Sequence, residues 1–488
     1  MKIETVIKYM DADASKLNPA LLSALVQSFA IDSREVRVGE VFFAFSQPEF
    51  ANNCFNGDFQ DAHKFIPAAF ERGAVACVAR ADRFAERREM LRAFENRLIF
   101  VEDAIAAFQK LAHNVYLEWN KPVVAITGSA GKTTAKELTA HVLEAGGKKI
   151  LRNSKNFNNG LGHPLTVLRL AADKTFDAAV LEMGMSTPNR EIARLCEITP
   201  PDIAVELNVL PVHVEHLGSI ENVGKAKAEL VEGMKTGGTS VLNADDARVA
   251  AMREKSKGAT ITFGIENKAD VSASEIEMKR FGETSFVLHL PNGEAEVSLR
   301  LSGRHNVLNA LAAASVGCVF GMSARQISDA LRAVAPPAQR GEVLHFAENF
   351  TVINDSYNSN PAALFGMVKT LTDGGKSAVR KIVVAGEMLE LGESEREIHR
   401  ETGARLAESG IDFLIGVRGL AKVLTDGARE NGLRETKFFD DSAQAGEFLA
   451  GEVKAGDLVL VKGSRGVRTE RVIEKLLEKF SLEIEKKI

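Results

Sequence analysis

The chain of 488 residues is long enough for about three domains of ordinary size, and its 45% apolar content supplies a core for each. Lys and Arg total 61 against 66 Asp and Glu, so the net charge of -5 excludes a global basic field for nucleic acid or anionic lipid, and any anionic ligand needs a local site. No apolar stretch reaches the roughly 20 residues that span a bilayer, no secretory signal pattern opens the chain, and Cys54, Cys77, Cys196 and Cys318 are too scattered for a disulfide framework or a zinc site. The expectation is a cytoplasmic multidomain protein with no membrane span and no nucleic-acid partner, its cysteines packed as small hydrophobes.

Proline-marked breaks near Lys121-Pro122 and Pro336-Pro337 divide the sequence into blocks 1–120, 121–336 and 337–488. The first block mixes short strand-like runs, Val41 to Phe45 and Val75 to Val78, with helical ones and predicts a small α/β domain. The second opens on Val123-Val124-Ala125-Ile126, an all-apolar run suited to a strand buried on both faces. A glycine turn follows, then a helix pattern with Leu138, Val142 and Ala145 on one face. Asp177 to Leu181, Asp202 to Val205 and Thr239 to Leu242 repeat the buried-strand signature, which predicts a mostly parallel sheet with helices on both faces. In the third block Thr351 to Ile353, Lys381 to Ala385, Phe413 to Val417 and Leu458 to Val461 read as strands, each followed by a helical stretch. That alternation is doubly wound and Rossmann-like. The charge-rich end, Glu474 to Ile488, reads as a solvated helix face.

Between the first strand and helix of the second block lies Thr127-Gly128-Ser129-Ala130-Gly131-Lys132-Thr133-Thr134. Strand, glycine turn, Lys-Thr and helix form the context of a phosphate-binding loop. Glycines let backbone N–H groups converge on phosphate oxygens, and the helix N-terminus adds its positive end. Lys132 is expected to neutralise the β- and γ-phosphates of ATP, and the Thr133 hydroxyl to ligate Mg²⁺. The loop departs from the common G-x-x-x-x-G-K-[ST] form, because Ile126 stands five before Gly131. A plain strand-to-helix connection is the alternative.

The T-G-x-x-G-K-T-T form resembles that of the Mur ligase family, ATP-dependent amide-forming enzymes of peptidoglycan precursor synthesis. The resemblance extends from about residue 32 to 470. Glu182 in Leu181-Glu182-Met183-Gly184 is similar to the family's magnesium-binding acid. The segment Asn208 to Ser219 resembles one whose histidine, here His213, lies near a second metal. Lys225-Ala226-Lys227-Ala228-Glu229 resembles a region in which many members carry a carbamylated lysine, here Lys227. Gly303-Arg304-His305-Asn306-Val307-Leu308-Asn309 is similar to the adenine-proximal helix start, which implies ATP contacts for Asn306 and Asn309. Arg340 resembles a C-terminal arginine that approaches the γ-phosphate. Asp355-Ser356-Tyr357-Asn358-Ser359-Asn360-Pro361 is similar to the D-x-Y-N-x-N-P form of members that add D-alanyl-D-alanine to UDP-N-acetylmuramoyl-tripeptide. It implies nucleotide contacts for Asp355 and Asn358, and substrate contacts for Tyr357 and Asn360.

Asn156 to Pro164 resembles the same members' N-x-N-N-x-x-G-x-P loop, which implies substrate contacts for Asn158 and Asn159. Asp32-Ser33-Arg34 with Phe42-Phe43-Ala44 resembles their uridine-nucleotide block, which implies Ser33, Arg34 and Phe43. Lys462-Gly463-Ser464-Arg465 is similar to their K-G-S-R turn. Gln60-Asp61-Ala62-His63 departs from the usual D-G-H.

The resemblance implies an acyl-phosphate mechanism in a cytoplasmic monomer, and a part in cell-wall building, cell shape and division. Lys132, Glu182, His213, Lys227 and Arg340 are the implied catalytic groups, with Thr133, Glu182, His213 and carbamylated Lys227 the implied metal ligands. Residue by residue, plainer readings stand beside these. Lys227 can be a surface charge on a helix, Asn306 and Asn309 can cap a helix, and Asp355 and Asn358 can form an Asx-turn. A ligase adding a diamino acid or glutamate, and a nucleotide-gated switch, are the alternative functions.

Overall fold

The computed structural model describes residues 1–53, 55, 59–154, 156–185, 187–211, 217–334, 339–389 and 391–483. Alternation of side chains along the short N-terminal strands sends Phe43 to one core and Phe42 to another, as a period of two requires. Four such strands, β1 (Phe29–Ala30), β2 (Val41–Phe43), β3 (Ala76–Arg80) and β4 (Leu98–Val101), pair in parallel in that order. The helix Ala104–Trp119, started by the Asp103 side chain on Ala106 N–H and stopped by Asn120 in the left-handed region, covers one face. Its Phe108 ring lies 4.8 Å from that of Phe43 and 5.8 Å from that of Phe45. The other side of this helix packs on the central sheet, with Trp119 Nε1 donating to Phe176 O at 3.1 Å. A single apolar cluster therefore runs from Phe43 through Phe108 to Ala125 and Leu181, across the position 120 at which the sequence suggests a break.

The central sheet contains β5 (Val123–Thr127), β6 (Ile150–Arg152), β7 (Ala178–Glu182), β8 (Ile203–Glu206), β9 (Thr239–Asn243), β10 (Ala259–Gly264), β11 (Val271–Arg280), β12 (Glu283–Leu290) and β13 (Gly293–Leu299). Their order is β13-β12-β11-β10-β9-β8-β5-β7-β6. Pairing is parallel from β6 to β11 and antiparallel from β11 to β13. The antiparallel extension was not among the sequence expectations, because its strands alternate buried and half-buried residues instead of forming short apolar runs. The apolar stretch around Ala310 lies in the helix Arg304–Val319, buried on most of its circumference between the sheet and the helices Lys132–Ala145 and Ala324–Ala333. Gly317 permits that approach: a Cβ there would stand 3.0 Å from both Val142 and Ile327.

The third sheet contains β14 (Glu342–Phe346), β15 (Phe350–Asp355), β16 (Arg380–Gly386), β17 (Phe413–Val417), β18 (Glu435–Phe439) and β19 (Asp457–Lys462), ordered β14-β15-β19-β16-β17-β18. All pairs are parallel except the β14–β15 hairpin. Separate apolar clusters cover its two faces, the doubly wound pattern. Pro336-Pro337 lies outside the described residues, as does the chain beyond 483, and the C-terminal helix is Glu470–Lys479. Cys77 and Cys196 are buried, and desolvation pushes both thiols far up, so they pack as small apolar groups. No helix among the described residues is long and apolar enough to cross a membrane.

Two histidines serve the fold. His399 donates from Nδ1 to Glu395 O and accepts at Nε2 from Met388 N–H, an arrangement that selects the Nδ1–H tautomer. His163 is fully buried with Nε2 on the Thr199 hydroxyl and Nδ1 without a partner, and burial pushes its imidazole down to about 3. The unfolded chain protonates this ring at about 6.5 and the folded chain does not, so stability falls as pH drops from about 6.5 towards 3. His163→Gln is expected to lower stability at pH 7 but to lose less of it on acidification, read from denaturant midpoints across pH. Phe108→Ala should cost about 3–5 kcal/mol through the cavity it opens, measured by chemical unfolding.

Candidate active site

The C-terminal ends of β7, β5 and β8 reach one level, and the loops leaving them line a cleft of about 450 Å³ closed on its far side by the third sheet's domain. Such crevices at strand ends are where open parallel sheets bind ligands. Ser129 to Thr134 form its floor. Gly131 has φ +85°, and a Cβ there would lie 2.5 Å from the Asn309 amide, so only glycine lets the Arg304–Val319 helix seat against the loop. Asn208, just past β8, holds the loop from the other side: Oδ1 accepts from Ala130 N–H at 2.9 Å and Nδ2 donates to Ala130 O at 3.1 Å. Its own carbonyl accepts from Ser129 N–H. Lys132 Nζ folds back to Gly128 O at 2.7 Å. Enclosure holds its pKa below the usual lysine range; Glu182 and Glu206 oppose that shift and Arg340 adds to it.

Glu182 ends β7 with both carboxylate oxygens directed at the loop region. Oε2 accepts from the Thr133 hydroxyl at 2.7 Å, and Oε1 from Asn158 Nδ2 at 2.8 Å. Asn153 clamps its backbone, accepting from Glu182 N–H and donating to Glu182 O, both at 3.0 Å. Two hard oxygens at the phosphate end of the loop are the donor set that suits Mg²⁺, so Thr133 and Glu182 fit the metal that the sequence implies.

From the opposite wall, Arg340 lays its guanidinium 4.0 Å from the centroid of the Tyr357 ring, with Arg465 5.7 Å from the same ring. Asp355, at the end of β15, accepts from Lys462 Nζ at the end of the adjacent β19, and the same ammonium donates to Asn358 O at 2.9 Å. Asn358, Tyr357, Asn360, Asn306 and Asn309 all line the cleft. Their amides also serve the fold. Asn360 Oδ1 caps the helix Pro361–Gly374, Asn358 Oδ1 accepts from Ser359 N–H, and Asn306 Nδ2 donates to Ser302 O.

Lys227 lies on the helix Ile220–Glu232 and is 3% exposed, which removes the surface-charge reading. Desolvation, then the Lys132 charge, lowers its pKa, while Glu206 opposes the shift. His213 lies outside the described residues. In the N-terminal domain Arg34 is exposed and forms a bidentate pair with Asp32, beside half-buried Ser33. Phe43 corrects an expectation: its ring is fully buried among Phe29, Phe45 and Phe108 and is a core residue, not a contact surface for a base. Asn159 is exposed and gives Oδ1 to the N–H groups of Leu161 and Gly162. Asn208, which lines the cleft, and the buried Asn153 and Glu206 escape the sequence reading. Asn208 opens the segment inspected for its histidine, Asn153 precedes the asparagine-rich loop, and Glu206 ends a strand that was read only for its apolar residues.

Residues 126–317 match the model of the Mur ligase middle domain, and 339–465 that of the Mur ligase glutamate ligase domain. The chain belongs to the Mur ligase family. This Mur ligase is 30% identical to the UDP-N-acetylmuramoyl-tripeptide--D-alanyl-D-alanine ligase of Haemophilus influenzae, over 95% of its own length and 99% of the relative's. A crystal structure of MurF from Acinetobacter baumannii superposes with a TM-score of 0.83 at 26% identity, covering 98% of this chain and 99% of that one. MurF ligase from Thermotoga maritima in complex with ADP superposes at 0.76 and 29%, covering 93% and 98%.

Removing the two side-chain hydrogen bonds that hold Ala130 forfeits about 1 kcal/mol each. Asn208→Ala is therefore expected to weaken ATP binding by about tenfold or more, read by calorimetric titration, with the unfolding midpoint little changed.

Proposed function

We propose that this Mur ligase joins D-alanyl-D-alanine to the terminal carboxylate of UDP-N-acetylmuramoyl-tripeptide at the expense of ATP, as a cytoplasmic monomer. The observation that carries the reading is the cleft itself. A phosphate loop with Lys132 and a Thr133–Glu182 pair faces a wall bearing Arg340, Tyr357 and the Asp355–Lys462 pair, in a chain related over nearly its whole length to ligases of that name. Joining a carboxylate to an amine in water is uphill, so the carboxylate must first become an electrophile. Its oxygen attacks the γ-phosphorus of ATP, ADP leaves, and the resulting acyl phosphate is opened by the amine, which expels inorganic phosphate.

The first step brings two anions together. Lys132 would release Gly128 O and bind the β- and γ-phosphates, while Arg340 would offset the charge of the transferring phosphoryl group from the C-terminal side. Mg²⁺ held by Thr133 and Glu182 would neutralise phosphate charge and polarise the γ-phosphoryl group. Asn158 would fix the Glu182 carboxylate for that task, and Asn208 would hold the shape of the loop through Ser129 and Ala130. Asn306, Asn309, Asp355 and Asn358 are assigned to the nucleotide side. Tyr357 and Asn360 are assigned to the amine side, and Ser33, Arg34, Asn158 and Asn159 to the UDP-peptide. His213 and carbamylated Lys227 are assigned to a second Mg²⁺.

The test is phosphate release from ATP and Mg²⁺ across a matrix of UDP-muramoyl peptides and amines, with Lys132→Ala as blank. Release should require both the UDP-tripeptide and D-alanyl-D-alanine, with the new amide seen by mass, and Lys132→Ala should reduce it by at least about a thousandfold. Release that follows a free diamino acid or glutamate would overturn the specificity. Release that needs no amine would overturn the ligase.

A further inference from the structure

The helix that leaves the phosphate loop carries a second lysine one turn beyond Lys132. Lys136 is 1% exposed and is among the largest side chains fully enclosed in the molecule. A buried ammonium is costly unless its donors are met, whereas an apolar side chain of the same length fills such a place without that cost. Lys136 Nζ donates to Asn153 O at 2.6 Å and pairs with Glu137 Oε1 at 2.8 Å. The mechanism above gives it no task.

Asn153 stands just past β6, and its side chain acts on two neighbours. Oδ1 accepts from Glu182 N–H, and Nδ2 donates to Glu182 O at 3.0 Å and to Phe157 O at 2.9 Å. Phe157 is followed by Asn158, whose Nδ2 reaches Glu182 Oε1 at 2.8 Å and whose carbonyl accepts from Gly184 N–H at 2.9 Å. Thr133 lies three residues before Lys136, on the same face of the helix, and its hydroxyl donates to Glu182 Oε2 at 2.7 Å. One helix face therefore grips Glu182 twice, at the carboxylate through Thr133 and at the backbone through Lys136 and Asn153. The bonds close into a ring that sets where the Glu182 carboxylate stands against the phosphate loop. We propose that Lys136 is a positioning residue for the metal site: by holding Asn153 it keeps the Glu182 carboxylate in place for a divalent cation. This role rests on the reading of Glu182 as a metal ligand given above.

The test uses the full chain with ADP, and Mn²⁺ as the probe. Mn²⁺ affinity is read by electron paramagnetic resonance, ADP affinity in EDTA by calorimetric titration, and stability by the unfolding midpoint. Groups that orient a metal's ligands typically account for about 10- to 100-fold in metal affinity. Lys136→Met, close in length and shape, should weaken Mn²⁺ by at least about tenfold while ADP affinity in EDTA stays within about twofold. Glu137→Gln keeps an acceptor for the ammonium and removes its counter-charge. It should lower the unfolding midpoint and leave Mn²⁺ affinity as in the wild type, which separates positioning from support of the fold. Wild-type Mn²⁺ affinity in Lys136→Met would overturn the proposal, as would an equal loss of Mn²⁺ affinity in Glu137→Gln. If Lys136→Met does not fold, Asn153→Ala reads the same link, and wild-type Mn²⁺ affinity there overturns it equally. Failure of the metal reading itself is separately visible, because Glu182→Gln would then bind Mn²⁺ as the wild type does.

Discussion

Three neighbouring parallel strands that end at one level are the constraint on which the rest of the molecule depends. Their register sets Ile126 opposite both Glu182 and Val205, and Thr127 opposite Glu206. The phosphate loop, the acid of β7 and the acid of β8 are thereby neighbours before any side chain chooses a rotamer. Alternation then separates the two acids. Ile126 and Val205 belong to the cluster under the helix Lys132–Ala145, whereas Ala204, two residues before Glu206, belongs to the cluster on the opposite face. Glu182 meets the loop threonine, and Glu206 is buried without a partner.

What was legible in the sequence follows from how local each feature is. A buried strand, a glycine turn and Lys-Thr lie within a dozen residues, so the loop and its helix could be read directly. The alternating strands and helices of the third block were equally plain, because a parallel sheet buries whole apolar runs. Glu182 was visible as an acid at a strand end. Asn208, Asn153 and Asn309 were not readable in the roles they have, since each acts on a backbone group or glycine distant in sequence. Asn208 grips Ala130 across 78 residues, and Asn309 is the reason Gly131 admits no side chain. Phe43 misled for the opposite reason: a phenylalanine in a short strand looks the same whether it faces a ligand or a core, and only the partner helix decides. Half-buried strands such as β12 were passed over because their polar positions dilute the apolar signal.

The groups assigned to catalysis in the proposal are split between two separately cored domains. The phosphate loop and Glu182 belong to the central sheet, while Arg340, Tyr357 and the Asp355–Lys462 pair hang from the third. Neither set touches a reacting phosphate and an amine by itself, so chemistry depends on how the two walls approach across the cleft. Lys132 on Gly128 O, and Arg340 on the Tyr357 ring, are cations parked on neutral partners. Under the proposed reaction both cations would exchange these contacts for phosphate oxygens.

The central claim is that the cleft activates a carboxylate by phosphorylating it, and isotope transfer tests that most directly. With ¹⁸O in the terminal carboxylate of the UDP-tripeptide, turnover with D-alanyl-D-alanine should place one labelled oxygen in each released phosphate, seen by the ³¹P isotope shift. Released phosphate without the label would mean that water, not the carboxylate, receives the phosphoryl group, and would contradict the account.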